Sequence, residues 1–187
     1  MVSLSNHQTR LGRLVSEAGI DPAKTLAQFD FAAVPQLKRT LVLDLASCTY
    51  LGRAENILLS GPTGTGKSHL ANALAWEAVK RNQTALCRSA QRLLADLQAA
   101  RATGTFARRF ARLCAVDLLV LDDFGLRPLG AQGSEDLYEL IRERYERKSL
   151  VITSNLQSEG YWWRTQANGH TGFSEATPIL FRMGCYL

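Results

Sequence analysis

Short apolar runs alternate with amphipathic stretches from Glu55 onward, and this alternation is typical of strands and helices in a parallel sheet. The runs are short and rich in aliphatic and β-branched residues, which favours strands over helices. They predict four strands, at Asn56 to Leu59, Thr84 to Arg88, Leu118 to Leu121 and Leu150 to Thr153. The chain is therefore predicted to be an α/β protein of three layers, α/β/α, with a central, mainly parallel sheet.

Helical periodicity fills the gaps between these strands. Leu70, Leu74 and Ala78 lie four residues apart, as the core-facing stripe of a helix requires. Ser89 is predicted to cap the next helix, which ends near Gly104. A further helix before the last strand is marked by apolar residues at helical spacing, Leu137, Leu140, Ile141 and Tyr145.

The two ends of the chain depart from this alternation. A short helix is predicted for the residues up to Ala18. It is expected to end at Gly19 to Pro22, because glycine and proline disfavour its continuation. From Gln157 to Leu187 no hydrophobic period is sustained. We therefore expect an N-terminal helical and linker segment at 1–35, a core at 36–156 and a divergent C-terminal tail at 157–187.

Composition and charge narrow the class of protein. Of the 187 residues, 46% are hydrophobic and 21% are charged, the balance of an ordinary globular protein. The four cysteines are far apart, which argues against a zinc site or a disulfide framework. Neither a signal peptide nor a membrane-spanning run is present, so the location is predicted to be cytoplasmic. The net charge of +5 is compatible with a polyanionic partner.

A glycine-rich motif lies between the first predicted strand and the helix that follows it. Gly61 to Ser68 matches G-x-x-x-x-G-K-[ST] in full, and its backbone N–H groups are expected to converge on the β-phosphate of a nucleoside triphosphate. Lys67 is expected to contact the β- and γ-phosphates, and Ser68 to hold Mg²⁺. The alternative is a glycine-rich turn that matches by chance. The predicted ATP-binding residues are Gly61, Pro62, Thr63, Gly64, Thr65, Gly66, Lys67, Ser68 and His69.

Polar residues follow two of the other predicted strands. Asp122 and Asp123 resemble a Walker B element, in which Asp122 binds Mg²⁺ and Asp123 acts as the general base towards the attacking water. Asn155 resembles a sensor 1 residue, and its amide is expected to hold the same water. The alternatives are a pair of solvated acids and an asparagine in a turn. Because aspartate reaches less far than glutamate, slow hydrolysis is expected.

Arginines crowd the region between the second predicted helix and the third strand. Arg108 and Arg112 fall on one helical face, with Arg109 beside them, and such a face suits the phosphates of DNA. Arg101 lies close by in the sequence. The interleaved phenylalanines are expected to pack inward. The alternative to a DNA-binding surface is a solvated basic face.

The combined motifs resemble the IstB-like ATP-binding proteins, transposition helpers related to DnaC-type helicase loaders within the AAA+ class. The resemblance runs from Phe29-Asp30-Phe31 to Thr153-Ser154-Asn155. It includes Glu55 to Leu59, Lys67 to Ala71, and Asp122-Asp123-Phe124-Gly125. Another matching stretch is Arg144-Tyr145-Glu146-Arg147.

This resemblance implies an AAA+ P-loop NTPase that assembles as a homo-oligomer on DNA with ATP and recruits a transposase or a replicative helicase. Hydrolysis in such families usually needs an arginine of a neighbouring subunit, and here Arg182 is the candidate. The tail departs from the pattern after Ser158-Glu159, as a truncated or frame-shifted copy would, with the small lid region missing or degenerate.

Two other functions share the same phosphate site. One is a nucleotide-dependent adaptor or degenerate remnant that binds ATP without significant hydrolysis. The other is a small-molecule kinase, but the sequence shows neither a recognisable acceptor site nor an arginine-rich lid after the third strand. The ATPase is therefore the preferred prediction.

Overall fold

Five parallel strands form the centre of the part of the fold that the structure describes. The computed structural model describes residues 2–155 and 183–186, and its strands lie in the order β2–β3–β4–β1–β5. Every neighbouring pair is parallel. The strands are β1 (Ile57–Ser60), β2 (Ala85–Ser89), β3 (Leu118–Phe124), β4 (Ser149–Ser154) and β5 (Met183–Tyr186).

Helices cover both faces of this sheet, which confirms the predicted three-layer α/β class. One apolar core joins the sheet to the helices before β2, and a second joins it to the helices after β2. On the first face lie α1 (Val2–Ala18), α2 (Arg39–Ala46), α3 (Thr49–Gly52) and α4 (Lys67–Lys80). On the second lie α5 (Ala90–Ala102), α6 (Phe106–Ala115) and α7 (Ala131–Arg144). No helix in these described ranges is long and apolar enough to cross a membrane.

The four predicted strands are all present, with bounds shifted by no more than three residues. The largest shift is at β3, which continues past Leu121 to Phe124, so the two acids lie within the strand. The predicted cap of α5 is also present, because the Ser89 hydroxyl oxygen accepts the Arg92 backbone N–H at 3.3 Å.

Strand β5 was not predicted from the sequence. Its Met183-Gly184-Cys185-Tyr186 segment is short and contains glycine, and it pairs with β1 in the register Ile57↔Met183 to Ser60↔Tyr186. The segment is a strand because it pairs with β1, which lies more than 120 residues away in the sequence. A local sequence pattern does not contain such a distant pairing. The remainder of the predicted tail lies outside the described residues.

The N-terminal segment is fastened to the helix that follows the glycine-rich motif. Asn72 of α4 accepts the Asp21 backbone N–H and donates to the carbonyl groups of Asp21 and Lys24, each at 2.9 Å. His69 Nε2 donates to the Thr25 carbonyl oxygen at 2.8 Å. The segment before residue 35 therefore contributes to the core, and the predicted boundary there stays a prediction.

The sheet order brings three strand ends together. Strand β4 lies between β1 and β3, and the carboxyl ends of parallel strands meet at one edge of a sheet. The glycine-rich motif follows β1, Asp122 and Asp123 lie near the end of β3, and Asn155 follows β4. Binding sites in open α/β sheets form at this edge.

Candidate nucleotide-binding site

The glycine-rich motif forms a turn that only glycine accommodates without strain at two positions. Gly64 and Gly66 have φ values of 88° and 82°, in the left-handed region. A Cβ atom at Gly66 would also lie 2.8 Å from Cε2 of Phe29. Inside the turn, the Thr65 hydroxyl donates to the Pro62 carbonyl oxygen at 3.0 Å. The turn leads directly into α4, whose amino end favours bound anions.

Lys67 is the first residue of α4 and is buried, with 6% of its surface exposed. Its Nζ donates to the Pro62 carbonyl oxygen at 2.6 Å, and among the described residues it forms no ion pair with a carboxylate. Burial lowers the pKa of Lys67, and the charges of Asp123 and Asp122 oppose that shift. A buried ammonium group held by one neutral carbonyl is well suited to contact a phosphate.

Ser68 meets Asp122 across 54 residues of sequence. The Ser68 hydroxyl donates to Asp122 Oδ1 at 2.8 Å, and Thr153 of β4 donates to the same oxygen. A polar cavity of about 170 Å³ opens beside Ser68 and Asp122, with Arg88 also on its wall. Mg²⁺ prefers oxygen ligands and keeps several waters, so this pair and this space fit a hydrated magnesium ion.

Asp123 lies in a β-bulge. The pairing of β3 with β4 shifts register between Leu121 and Phe124, so Asp122 and Asp123 together face Thr153. Asp123 has a φ of 56°, in the left-handed region that a residue with a side chain adopts only when its surroundings hold it there. Its backbone N–H donates to the Thr153 hydroxyl oxygen at 2.9 Å.

The two acids differ in their surroundings. Asp122 is half-buried and accepts two hydroxyl groups, whereas Asp123 faces solvent. Partial burial of its carboxyl group, together with the neighbouring charge of Asp122, raises the pKa of Asp123, while Lys67 opposes the rise. A carboxylate with a raised pKa is a better base than an ordinary aspartate.

The structure places the other predicted residues as follows. Asn155 directly follows β4 and is half-buried, beside Ser154, whose carbonyl oxygen accepts the Gly61 backbone N–H at 3.3 Å. The His69 ring points to Thr25 and packs edge-on against Phe29, with ring centroids 5.4 Å apart. Arg182 lies outside the described residues.

The predicted basic surface is on α6. Arg108, Arg109 and Arg112 are exposed, and none of them forms an ion pair with another described residue. Phe106 and Phe110 stack on each other and pack inward against the core, as predicted.

Arg101 differs from these arginines. It pairs with the buried carboxylate of Asp136 and lies over the ring of Phe106, 3.7 Å from the centroid. Its guanidinium group is therefore committed to packing α5 against α7 and α6, and it does not belong to the free basic face.

Sequence reasoning missed Thr153 and Asn72 as parts of this site. Thr153 directly follows the apolar run Leu150 to Ile152. A buried hydroxyl at the end of a strand needs a hydrogen-bond partner. Asn72 is a polar residue among the apolar positions of α4. These two features of the sequence could have drawn attention to both residues, although neither identifies the partner.

Comparison with protein families matches residues 3–176 of this chain to the model described as IstB-like ATP binding protein. An insertion sequence IS21 ATP-binding protein of Pseudomonas aeruginosa is 35% identical over 149 residues, which are 80% of this chain and 56% of that protein. An insertion sequence IS1162 ATP-binding protein of Pseudomonas fluorescens is 37% identical over 150 residues, 80% of this chain and 65% of that protein. The chain thus spans little more than half the length of such relatives.

Solved structures show the same fold at low sequence identity. AMPPCP-bound DnaA from Aquifex aeolicus superposes with a TM-score of 0.70 at 20% identity, covering 90% of this chain and 51% of that one. The DnaC helicase loader superposes with a TM-score of 0.59 at 23% identity, covering 68% and 73%. The fold is that of the AAA+ P-loop proteins. From its motif, its site and the match over most of its length, this chain belongs to the IstB-like ATP binding protein family.

Proposed function

We propose that this chain binds ATP with Mg²⁺ and hydrolyses it to ADP and phosphate. The observation that carries this proposal is the contact of Ser68 with Asp122 at 2.8 Å, which joins the phosphate-loop helix to the strand that bears the acids. The buried ammonium group of Lys67 lies at the start of the same helix. The residues proposed for phosphate binding, metal binding and general-base catalysis thereby lie at one edge of the sheet.

Each residue has a distinct role in this proposal. Backbone N–H groups of Gly61 to Ser68 and the Lys67 ammonium group bind the phosphates. Ser68 and Asp122 would hold Mg²⁺, which neutralises charge on the phosphate oxygens when bound. Asp123 accepts the proton of the attacking water, and the Asn155 amide orients that water.

We further propose that ATP use in this chain serves an insertion sequence. The named relatives are insertion-sequence ATP-binding proteins, and the exposed arginines of α6 suit the phosphate backbone of DNA. Recruitment of a transposase, assembly into a homo-oligomer and a cytoplasmic location belong to the same proposal. A replicative helicase as the recruited partner is the less favoured alternative, because the sequence relatives are insertion-sequence proteins.

Binding of ATP to the purified chain tests the first part, by calorimetric titration with Mg²⁺ present. Replacing Lys67 with alanine removes charge-assisted hydrogen bonds worth about 1.5–3 kcal/mol each and should lower ATP affinity by about 100-fold. Lys80→Ala is the matched control, because Lys80 lies in the last turn of the same helix and its ion pair is with Glu77. Its affinity should stay within about twofold of the unchanged protein.

Hydrolysis is tested by measuring ADP formation at rising protein concentration, with and without duplex DNA. Turnover that increases with concentration and DNA supports an assembled ATPase. Tight binding that depends on Lys67 without any turnover contradicts the proposed hydrolysis and favours the nucleotide-dependent adaptor. If neither Lys67→Ala nor Lys80→Ala lowers ATP affinity, the proposed phosphate site is contradicted. The same holds if both variants abolish ATP binding.

A further inference from the structure

The hydroxyl group of Thr153 contacts both acids of the site. Thr153 lies in β4 and is buried, with 1% of its surface exposed. Its Oγ1 donates to Asp122 Oδ1 and accepts the backbone N–H of Asp123 at 2.9 Å. A hydroxyl has one donor and two acceptor sites, so it can make both hydrogen bonds at the same time.

The bulge in β3 explains why a side chain is needed at this position. Two residues of β3 face one residue of β4, and the extra residue loses its backbone partner in the ladder. The Thr153 hydroxyl replaces that partner for Asp123, whose left-handed conformation must be held by its surroundings. This hydrogen bond therefore helps to fix the backbone of Asp123 and, with it, the direction of its Cα–Cβ bond.

The same hydroxyl orients the carboxylate of Asp122. The hydrogen bonds that Asp122 accepts from other described residues, from Ser68 and Thr153, both end on Oδ1. This arrangement restrains the rotation of the carboxyl group, and Asp122 also lines the polar cavity.

We infer that Thr153 is a positioning residue of this site, whose hydroxyl group sets the Asp122 carboxylate for magnesium and holds Asp123 in the bulge. The inference rests on the proposed function, since it concerns the residues that would hold Mg²⁺ with ATP. Thr153 acts through its hydrogen bonds with Asp122 and Asp123.

Ser154 offers a matched control. It is buried in the same strand, and its hydroxyl donates to the Phe124 carbonyl oxygen at 3.0 Å. Ser154→Ala therefore removes a buried hydroxyl from the neighbouring position and keeps the Thr153 hydroxyl with its hydrogen bonds to Asp122 and Asp123. A general loss of packing in β4 would affect both variants, whereas the inferred role affects one.

The test compares the affinity for a non-hydrolysable ATP analogue in Mg²⁺ with the affinity in EDTA. Thr153→Val keeps the shape of the side chain but removes both hydrogen bonds. The gain in affinity that Mg²⁺ confers should shrink by about tenfold, the size of one charge-assisted hydrogen bond, while affinity in EDTA changes by less than about twofold. Thr153→Ser keeps the hydroxyl and should restore most of the gain, and Ser154→Ala should retain it.

A second measurement needs no nucleotide. The Asp123 backbone amide should exchange its hydrogen faster in Thr153→Val than in Thr153→Ser, because only the valine removes its acceptor. Magnesium-dependent binding in Thr153→Val equal to that of the unchanged protein overturns the inference, as does an equal loss in Ser154→Ala. If the unchanged protein itself shows no gain from Mg²⁺, the proposed function fails and this inference fails with it.

Discussion

At the scale of single residues, the neighbouring acids Asp122 and Asp123 are made unequal by their surroundings. Asp122 accepts two hydroxyl groups on one oxygen, which suits a fixed ligand. Asp123 has a raised pKa and faces solvent, which suits a group that takes up a proton. Two identical residues adjacent in sequence thereby differ in their surroundings, which suits them to the different roles proposed for them.

The pH dependence of single-turnover hydrolysis should report this difference. A base acts as the carboxylate, so the rate should fall as the pH falls through the pKa of Asp123, which lies above the ordinary aspartate value of about 3.9. Asp123→Glu should shift this acid limb and, through its longer reach, raise the rate. Ionisation of ATP itself is the same in both proteins, so it cannot cause a difference between them. If the acid limb of the pH profile does not move in Asp123→Glu, Asp123 is not the base. If the rate is unchanged, the reach of this side chain does not limit hydrolysis.

At the scale of elements, α6 separates its apolar and basic residues onto opposite faces. Phe110 and Leu113 pack against the core, while Arg108, Arg109 and Arg112 face solvent. Arg109 and Arg112 also line a cavity of about 110 Å³ with Arg88 of β2 and Asp96 of α5. Because these arginines are exposed and form no ion pair with the residues that the structure describes, they can bind phosphate without first breaking such a pair.

Charge reversal on this helix tests the proposed contact with DNA. The double variant Arg108→Glu, Arg109→Glu should weaken duplex binding by about tenfold or more and make its salt dependence shallower by about two units. Arg10→Glu, Arg13→Glu is the matched control, because it changes net charge equally on α1, across the sheet from α6. Equal loss in both double variants would show only an effect of net charge, and no loss in either would exclude α6 from DNA binding.

At the scale of the whole molecule, one buried arginine joins three parts of the fold. Arg144 ends α7 and has no exposed surface. Its guanidinium donates to the carbonyl oxygens of Leu113, Cys114 and Val116 at the end of α6, and to that of Ser149 at the start of β4. Burial lowers the pKa of Arg144 to about 10, so it stays protonated at neutral pH. The arginine thus connects the basic helix to strand β4, which Asn155 directly follows.

Replacing Arg144 should destabilise the whole domain. Arg144→Met fills a similar volume but leaves carbonyl groups unpaired, which should lower the free energy of unfolding by about 2–4 kcal/mol. Arg144→Lys should recover only part of this loss, since an ammonium group lacks the planar fork of a guanidinium group. Arg142→Met, on the same helix but 57% exposed, should cost less than about 0.5 kcal/mol. Urea unfolding measures all three, and an equal effect of Arg144→Met and Arg142→Met would contradict this role.

The sequence by itself determined the features that depend on local spacing. Four strands, the helices between them and the glycine-rich turn before Lys67 follow from hydrophobic period and from backbone conformations that few residues allow. The acids Asp122 and Asp123 were identified in the same way, because an apolar run predicts the strand that presents them.

Tertiary structure alone decided which side chains meet. The contact of Thr153 with Asp122, the tie of Asn72 to Asp21 and the pairing of β5 with β1 join residues far apart in the chain. Arg101 and Arg108 look alike in sequence, yet one pairs with a buried aspartate and the other faces solvent. Such differences arise from register, bulges and packing across elements, which the period of a single segment does not contain.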